Sequence, residues 1–224
     1  MTACSPGQLQ NVVKDAMSNG VLTNGQIANG LKEALEIGIG KGATQLSALD
    51  GYFDSPYKIL LPPEARQITD KLQKIPGFSQ VENEIVKRLN RGAEEAAKKA
   101  KPIFVNAIKS MSIADASKIL MGGQDAATTF LKGATLTDLT NSFEPVIQES
   151  LDKFQARKYW SDAVNAYNKI PFVTKANPEL EDYVTEEALN GLFGMVAKEE
   201  ANIRTNAAAR TSDLLKKVFA KQDN

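Results

Sequence analysis

The stretch from Thr23 to Leu49, TNGQIANGLKEALEIGIGKGATQLSAL, decides the fold class. It opens on Thr23-Asn24-Gly25-Gln26, a capping box in which a hydroxyl residue is followed three positions on by a glutamine that can reach back to the cap. Behind it Ile27, Leu31, Leu35, Ile39, Ala43, Leu46 and Leu49 recur at three- and four-residue spacing, the stripe of an amphipathic helix. The spacing predicts a helix from Asn24 to Leu49, ended by Asp50-Gly51.

Outward from this helix the same signals repeat. Tyr52 to Pro63 reads as an extended, proline-rich crossing in which Tyr57, Ile59 and Leu61 alternate like a short strand, too isolated to make a sheet. A helix restarts at Pro62-Pro63 and runs to Ile75, where Pro76-Gly77 breaks it. From Ser79 to Ser110 one apolar face carries Val81, Ile85, Leu89, Ala93, Ala96, Ala100, Phe104 and Ile108, with Pro102 inside it. That proline predicts a kink near Lys98 to Pro102, or two abutting helices. Ser112 to Asp115 starts a short helix through Met121, closed by Gly122-Gly123. Three further helices are read over Asp125–Lys132, Thr137–Gln155 and Lys158–Asn168. Another begins at the Asn177-Pro178 cap and runs to Ile203, interrupted near Tyr183-Val184-Thr185. Thr211-Ser212-Asp213 caps a last amphipathic helix with Lys216 and Lys217 in its final turn. The expected fold is all-α, an irregular multi-helix array with at most a short extended segment. Residues 1–22 are read as a tether and 23–224 as a single helical domain.

Composition narrows function by exclusion. The chain has 224 residues, 27 basic against 27 acidic, one cysteine and no histidine. It therefore lacks the commonest catalytic base, the commonest metal ligand and any thiolate cluster. No metal site and no cofactor is expected. Balanced charge removes the electrostatic basis of general nucleic-acid binding. No apolar run reaches the roughly 20 residues that cross a bilayer. Membrane contact is expected only through a lipid anchor.

That anchor is expected at Cys4. Thr2-Ala3-Cys4 is what remains around a bacterial lipoprotein cleavage point, and Ser5-Pro6-Gly7 continues as a flexible polar opening suited to a tether. An acylated Cys4 also accounts for a lone cysteine in an oxidising compartment. The reading implies a charged and apolar leader in the native precursor, and a protein that is exported and periplasmic, held at the membrane through Cys4.

Other motifs have plain explanations. Ile37 to Gly42 resembles a phosphate loop but continues a helix instead of following a strand, so Gly38 and Gly42, four apart, are read as a site of close helix approach. Glu84 with Arg88, Glu94 with Lys98 and Glu95 with Lys99 have the spacing of solvated helix pairs. Glu179, Glu181, Asp182, Glu186 and Glu187 form an acidic helix start, which the helix dipole favours, and lack the glycine of a calcium loop. Trp160, with Tyr159, Tyr167 and Phe172, is read as core or boundary. No Gly-x-Ser-x-Gly elbow occurs.

One constellation stands apart. Arg91 and Glu94 lie three apart beside the Ala93-Ala96 seam, and Arg210 sits in the alanine-rich turn before the final helix. If that helix docks on the long one, Arg91, Glu94, Asp125 and Arg210 form a polar cluster: a structural ion-pair network, or in a sharper version a site for a small anionic ligand.

Finally, Asp50-Gly51-Tyr52-Phe53, Leu89-Asn90-Arg91 with Ala93 to Ala97, Phe104 to Ser110, Gly122 to Thr128, Tyr167 to Val173, Asp182 to Thr185 and Ala208 to Leu215 resemble the signatures of bacterial domain-of-unknown-function family 4197. The resemblance spans residues 20 to 219. It implies exported, often lipid-anchored, all-helical proteins and brings no catalytic residue with it. The expected role is a non-enzymatic envelope lipoprotein whose helical body binds a partner protein or a small apolar molecule. The alternative is a hydrolase or transferase using carboxylates or a Ser-Lys pair.

Overall fold

The computed structural model describes residues 22–74, 79–173, 180–210 and 212–220. Cys4, the Pro76-Gly77 break, Glu179 and the Asn177-Pro178 cap lie outside them. The described residues form helices α1 (Asn24–Ser47), α2 (Pro63–Leu72), α3 (Val81–Ala97), α4 (Ala100–Ser110), α5 (Ile113–Met121), α6 (Ala126–Lys153), α7 (Ala156–Tyr167), α8 (Glu181–Thr205), a 3-10 turn (Ala207–Ala209) and α9 (Asp213–Phe219), with no strand among them. The all-α reading holds.

Caps set several of these starts. The Thr23 hydroxyl accepts from the Gln26 N–H at 3.2 Å while the Gln26 side chain accepts from the Thr23 N–H at 2.9 Å, closing the predicted box. Ser112 and Asp115 repeat the device at α5. There the Ser112 hydroxyl and N–H hold the Asp115 carboxyl below its usual range. Ser112 and Thr23 thus each satisfy a backbone donor that the first turn would otherwise leave open. Ser212 caps α9, accepting from the Leu215 N–H.

Pro102 gives two helices. α3 ends at Ala97 and α4 begins at Ala100, which places the proline in the first turn of a new helix, where its missing donor costs nothing. Two expectations fail in the opposite direction. Asp125–Lys132 and Thr137–Gln155 are one helix, α6, running through Gly133 and Pro145. Leu131, Thr135, Leu139, Phe143, Ile147 and Leu151 are all buried at four-residue spacing. α6 lies against both α3 and α8, so burial of that stripe outweighs the local penalties of glycine and proline. Likewise α8 passes through Tyr183-Val184-Thr185 unbroken, because Val184 and Thr185 face the interior.

α8 is the axis of the molecule. It packs on α1, α6 and α3, and Val184, Ala188, Leu192, Met195, Val196 and Ile203 are buried among them. Gly38 and Gly42 are where α1 meets it: a Cβ on Gly42 would lie 2.7 Å from Met195 Cγ, and one on Gly38 3.3 Å from Ile203 Cδ1. The close-approach reading of this glycine pair is correct. α9 docks on α1, with Val218 and Leu214 against Gly30, and not on α3 as the polar-cluster expectation assumed.

Between α1 and α2 the chain is extended without a partner strand. The Ile59 N–H donates to Asn90 Oδ1 at 2.9 Å and its carbonyl accepts from Asn90 Nδ2 at 2.8 Å. The Leu60 carbonyl accepts from the Tyr183 hydroxyl at 2.9 Å, and that of Leu61 from Arg66 Nε at 2.8 Å. Buried backbone groups need partners, and here side chains of three helices provide them. Trp160 and Tyr167 are buried, as read; Tyr159 and Phe172 are exposed, Phe172 fully so, and the core-or-boundary reading fails for both.

Candidate functional site

The predicted polar cluster divides in two. Arg91 Nη1 donates to Glu94 Oε2 at 2.5 Å, and Arg91 Nη2 pairs with Asp50 Oδ1 at 2.6 Å. Glu94 is 4% exposed, and its other oxygen accepts from the Tyr52 and Phe53 N–H groups. Glu94 is therefore a buried brace for the Asp50–Phe53 loop and not half of a solvated pair with Lys98, which pairs with Glu95. Tyr52, fully buried, donates its hydroxyl to the Ala188 carbonyl at 2.6 Å. Burial, with the Glu94 carboxylate nearby, pushes its phenol well above the ordinary value.

Arg210 lies at the other end of α8. It is 2% exposed and donates through Nε and Nη2 to the carbonyls of Ile203 and Arg204. Ala188, beside the Glu94 brace, and Ile203 are fifteen residues apart on α8, about 22 Å at 1.5 Å per residue. Asp125 is exposed at the start of α6. Arg91 and Glu94 are brought together; Asp125 and Arg210 are not brought to them, since the turn that carries Arg210 follows the C-terminal end of α8.

An ion pair that the sequence reading passed over occupies that end. Glu200 and Arg204 are 2.9 Å apart with side chains 4% and 6% exposed. Glu200 accepts from the N–H groups of Ala127 and Thr128 and from the Thr128 hydroxyl, at 2.8–2.9 Å, capping the start of α6. Arg204 donates to the Ile119 and Leu120 carbonyls at the end of α5. Negative charge thus meets a helix N-terminus and positive charge a C-terminus, as the helix dipoles favour. The pair fastens the α5–α6 turn to α8. The cleft beside it, about 580 Å³ and bordered by Leu120, Met121 and Val218, has its charged residue, Arg204, already engaged.

The concavity with open chemistry lies between α6 and α8. One four-residue stripe of α6, Lys132, Leu136, Thr140 and Glu144, faces Asp182, Thr185, Glu186, Leu189, Asn190 and Phe193 of α8 across a groove of about 310 Å³. From Lys132 to Glu144 the α6 wall runs about 18 Å. Thr185, Leu189 and Phe193 are buried and form the floor; Leu136, 40% exposed, stands on the rim. Lys132 Nζ lies 5.8 Å from the Phe193 ring centre at one end. Glu144 and Asp182 mark the other. A second, more polar hollow of about 520 Å³ adjoins past Asp182, edged by Gln148, Arg157 and Tyr183.

Thr185, in the floor, is a buried threonine without a hydrogen-bond partner. Thr135, Thr140 and Thr205 each donate to the carbonyl four residues back, whereas the buried Thr185 hydroxyl has no partner. A buried hydroxyl left unpaired costs about 1–3 kcal/mol. The acidic run, read as a dipole-stabilised helix start, has this second aspect: Asp182 and Glu186 both line the groove. Among the described residues no three acidic, cysteine or histidine side chains converge as a metal site would require, and no helix is long and apolar enough to cross a membrane.

A family model described as protein of unknown function (DUF4197) matches residues 21–220. No curated protein and no solved structure matches the chain.

Proposed function

We propose that this chain, which belongs to the family of proteins of unknown function DUF4197, is an exported, lipid-anchored binding protein of the bacterial envelope that takes a small molecule with an apolar body in the α6–α8 groove. The observation that supports the binding role is the groove itself, about 310 Å³ between α6 and α8, with Leu189 and Phe193 in its floor and Leu136 on its rim. A preformed groove of this volume, with an apolar floor and polar side chains along its edges, has the form of a small-ligand site. The anchor rests on Thr2-Ala3-Cys4 and on the polar residues that follow.

Each half has its own test. N-phenyl-1-naphthylamine, a neutral apolar fluorophore, is expected to brighten on titration with the protein. Leu136→Lys, a change on the rim that leaves the core intact, should abolish most of that signal. Equal brightening with the variant would remove the groove from consideration. For the anchor, a clickable fatty acid fed to the native host should label the wild-type protein and leave Cys4→Ala unlabelled; equal labelling would refute acylation at Cys4.

A further inference from the structure

Among the described large apolar residues Phe172 is the most open, 108% exposed against 81% for Met121. It is also held that way. Ile170 and Val173, on either side, pack against the core, and the Ile170 N–H donates to the Tyr167 carbonyl at 2.9 Å. Between these two pins Pro171 fixes its own φ, and Phe172 stands at φ 62°, in the left-handed region that a bulky residue seldom enters. Single apolar residues are common on protein surfaces and need no explanation. A ring presented on a pinned turn against the preference of its own backbone does, because strain of this kind gathers at working sites.

The surroundings of the turn are basic. Lys71 Nζ lies 5.3 Å from the centre of the Tyr167 ring, so the last turns of α2 and α7 meet at the foot of the turn. Lys71 and Lys74 at the end of α2 and Lys169 in the turn itself are exposed. Of the acids beside them Asp70 is exposed, while the Glu82 carboxylate accepts from the Thr69 hydroxyl and from Gln73 Nε2, each at 3.2 Å.

We infer that the Phe172 turn is a second membrane contact besides the anchor, its ring entering the interfacial layer of an anionic bilayer while Lys71, Lys74 and Lys169 meet the headgroup phosphates. An apolar ring ringed by lysines is the composition of segments that lie in a lipid interface. The choice of a membrane as the occupant rests on the acyl anchor proposed at Cys4. Eighteen residues separate Cys4 from Leu22, a reach of at most about 60 Å, which keeps the surface of an anchored domain within touch of the bilayer.

The test titrates the full chain, unacylated, with vesicles of phosphatidylglycerol or of phosphatidylcholine to millimolar lipid. Phe172→Trp puts a reporter at the tip, against a background from Trp160, which is 3% exposed. Its emission is expected to shift to the blue on phosphatidylglycerol and to be quenched by lipids brominated on the acyl chain, with neither change in the wild type. Partitioning of the wild type into phosphatidylglycerol should exceed that into phosphatidylcholine at least tenfold. Phe172→Ser should lower it about tenfold, and Lys71→Gln/Lys169→Gln about twentyfold, at roughly fivefold per lysine. Phe172→Ser should unfold at the wild-type temperature, since the ring lies outside the core. Absence of the shift and the quenching would overturn the membrane contact and leave the turn to a protein partner. Equal partitioning of Phe172→Ser and wild type, or into the two lipids, would overturn it as well. Because the protein carries no acyl chain in this experiment, its failure is separate from a failure of acylation, which the Cys4→Ala labelling reads.

Discussion

Glu200→Ala is expected to lower the stability of the protein by about 3–5 kcal/mol, the range for breaking a buried ion pair by removing one partner. The carboxylate holds two backbone donors and a hydroxyl at the start of α6 and the Arg204 guanidinium in one place. Without it the guanidinium keeps carbonyl acceptors but loses the Glu200 charge, and the first turn of α6 loses its cap. Arg204→Met should cost less, because the stranded carboxylate still faces the positive end of a helix. The double substitution should cost less than the sum of the two, since neither charge is then left alone. Urea unfolding of the three variants measures all of this. A loss under about 1 kcal/mol for Glu200→Ala, typical of an exposed pair, would show that the site is not dry.

The second large effect is expected at Gly51. A Cβ there would sit 2.2 Å from the Gln45 carbonyl oxygen and 2.6 Å from that of Leu46, both backbone atoms in the last turn of α1. No side chain can swing away to make room. Either the helix end unwinds or the Asp50–Phe53 loop lifts, and lifting takes the Tyr52 and Phe53 N–H groups from Glu94 and Asp50 from Arg91. Gly51→Ala should therefore cost about 3 kcal/mol, the upper part of the usual range for overpacking. For a chain of this length that is a fall in Tm of about 6–12 °C. Gly133→Ala is the control. A Cβ there meets nothing within 4 Å, so alanine in mid-helix should be neutral or stabilise by up to about 1 kcal/mol. Thermal unfolding of the two variants gives the comparison, and equal Tm values would refute the steric account of Gly51.

Helix starts were legible because capping is local. Thr23 with Gln26 and Ser112 with Asp115 declare themselves within four residues, and the structure closes both boxes. Arg91 with Glu94 was legible for the same reason. Burial of α6 was legible too, in the stripe from Leu131 to Leu151, which runs unbroken across the gap read between Lys132 and Thr137. The third partner of the Arg91 pair could not be read, because Asp50 comes to α3 only when the loop after α1 folds back. Glu200 and Arg204 carried a signal that went unused: an acid and a base four apart, one and two turns after the apolar face of Leu192, Met195 and Val196. The groove carried none. Its walls are single faces of two helices far apart in the chain, α6 from Lys132 to Glu144 and α8 from Asp182 to Phe193, and nothing local pairs them.

The extended passage before α2 has a consequence for association. An isolated β-like segment normally offers a row of free donors and acceptors to which a second chain can add as a strand. Here the carbonyls of Ile59, Leu60 and Leu61 are each taken by a side chain, from Asn90, Tyr183 and Arg66, and the Ile59 donor is taken by Asn90 as well. Pro62 and Pro63 follow at once and have no N–H to offer. The protein keeps a strand's reach across its core while denying the template on which cross-β aggregates grow.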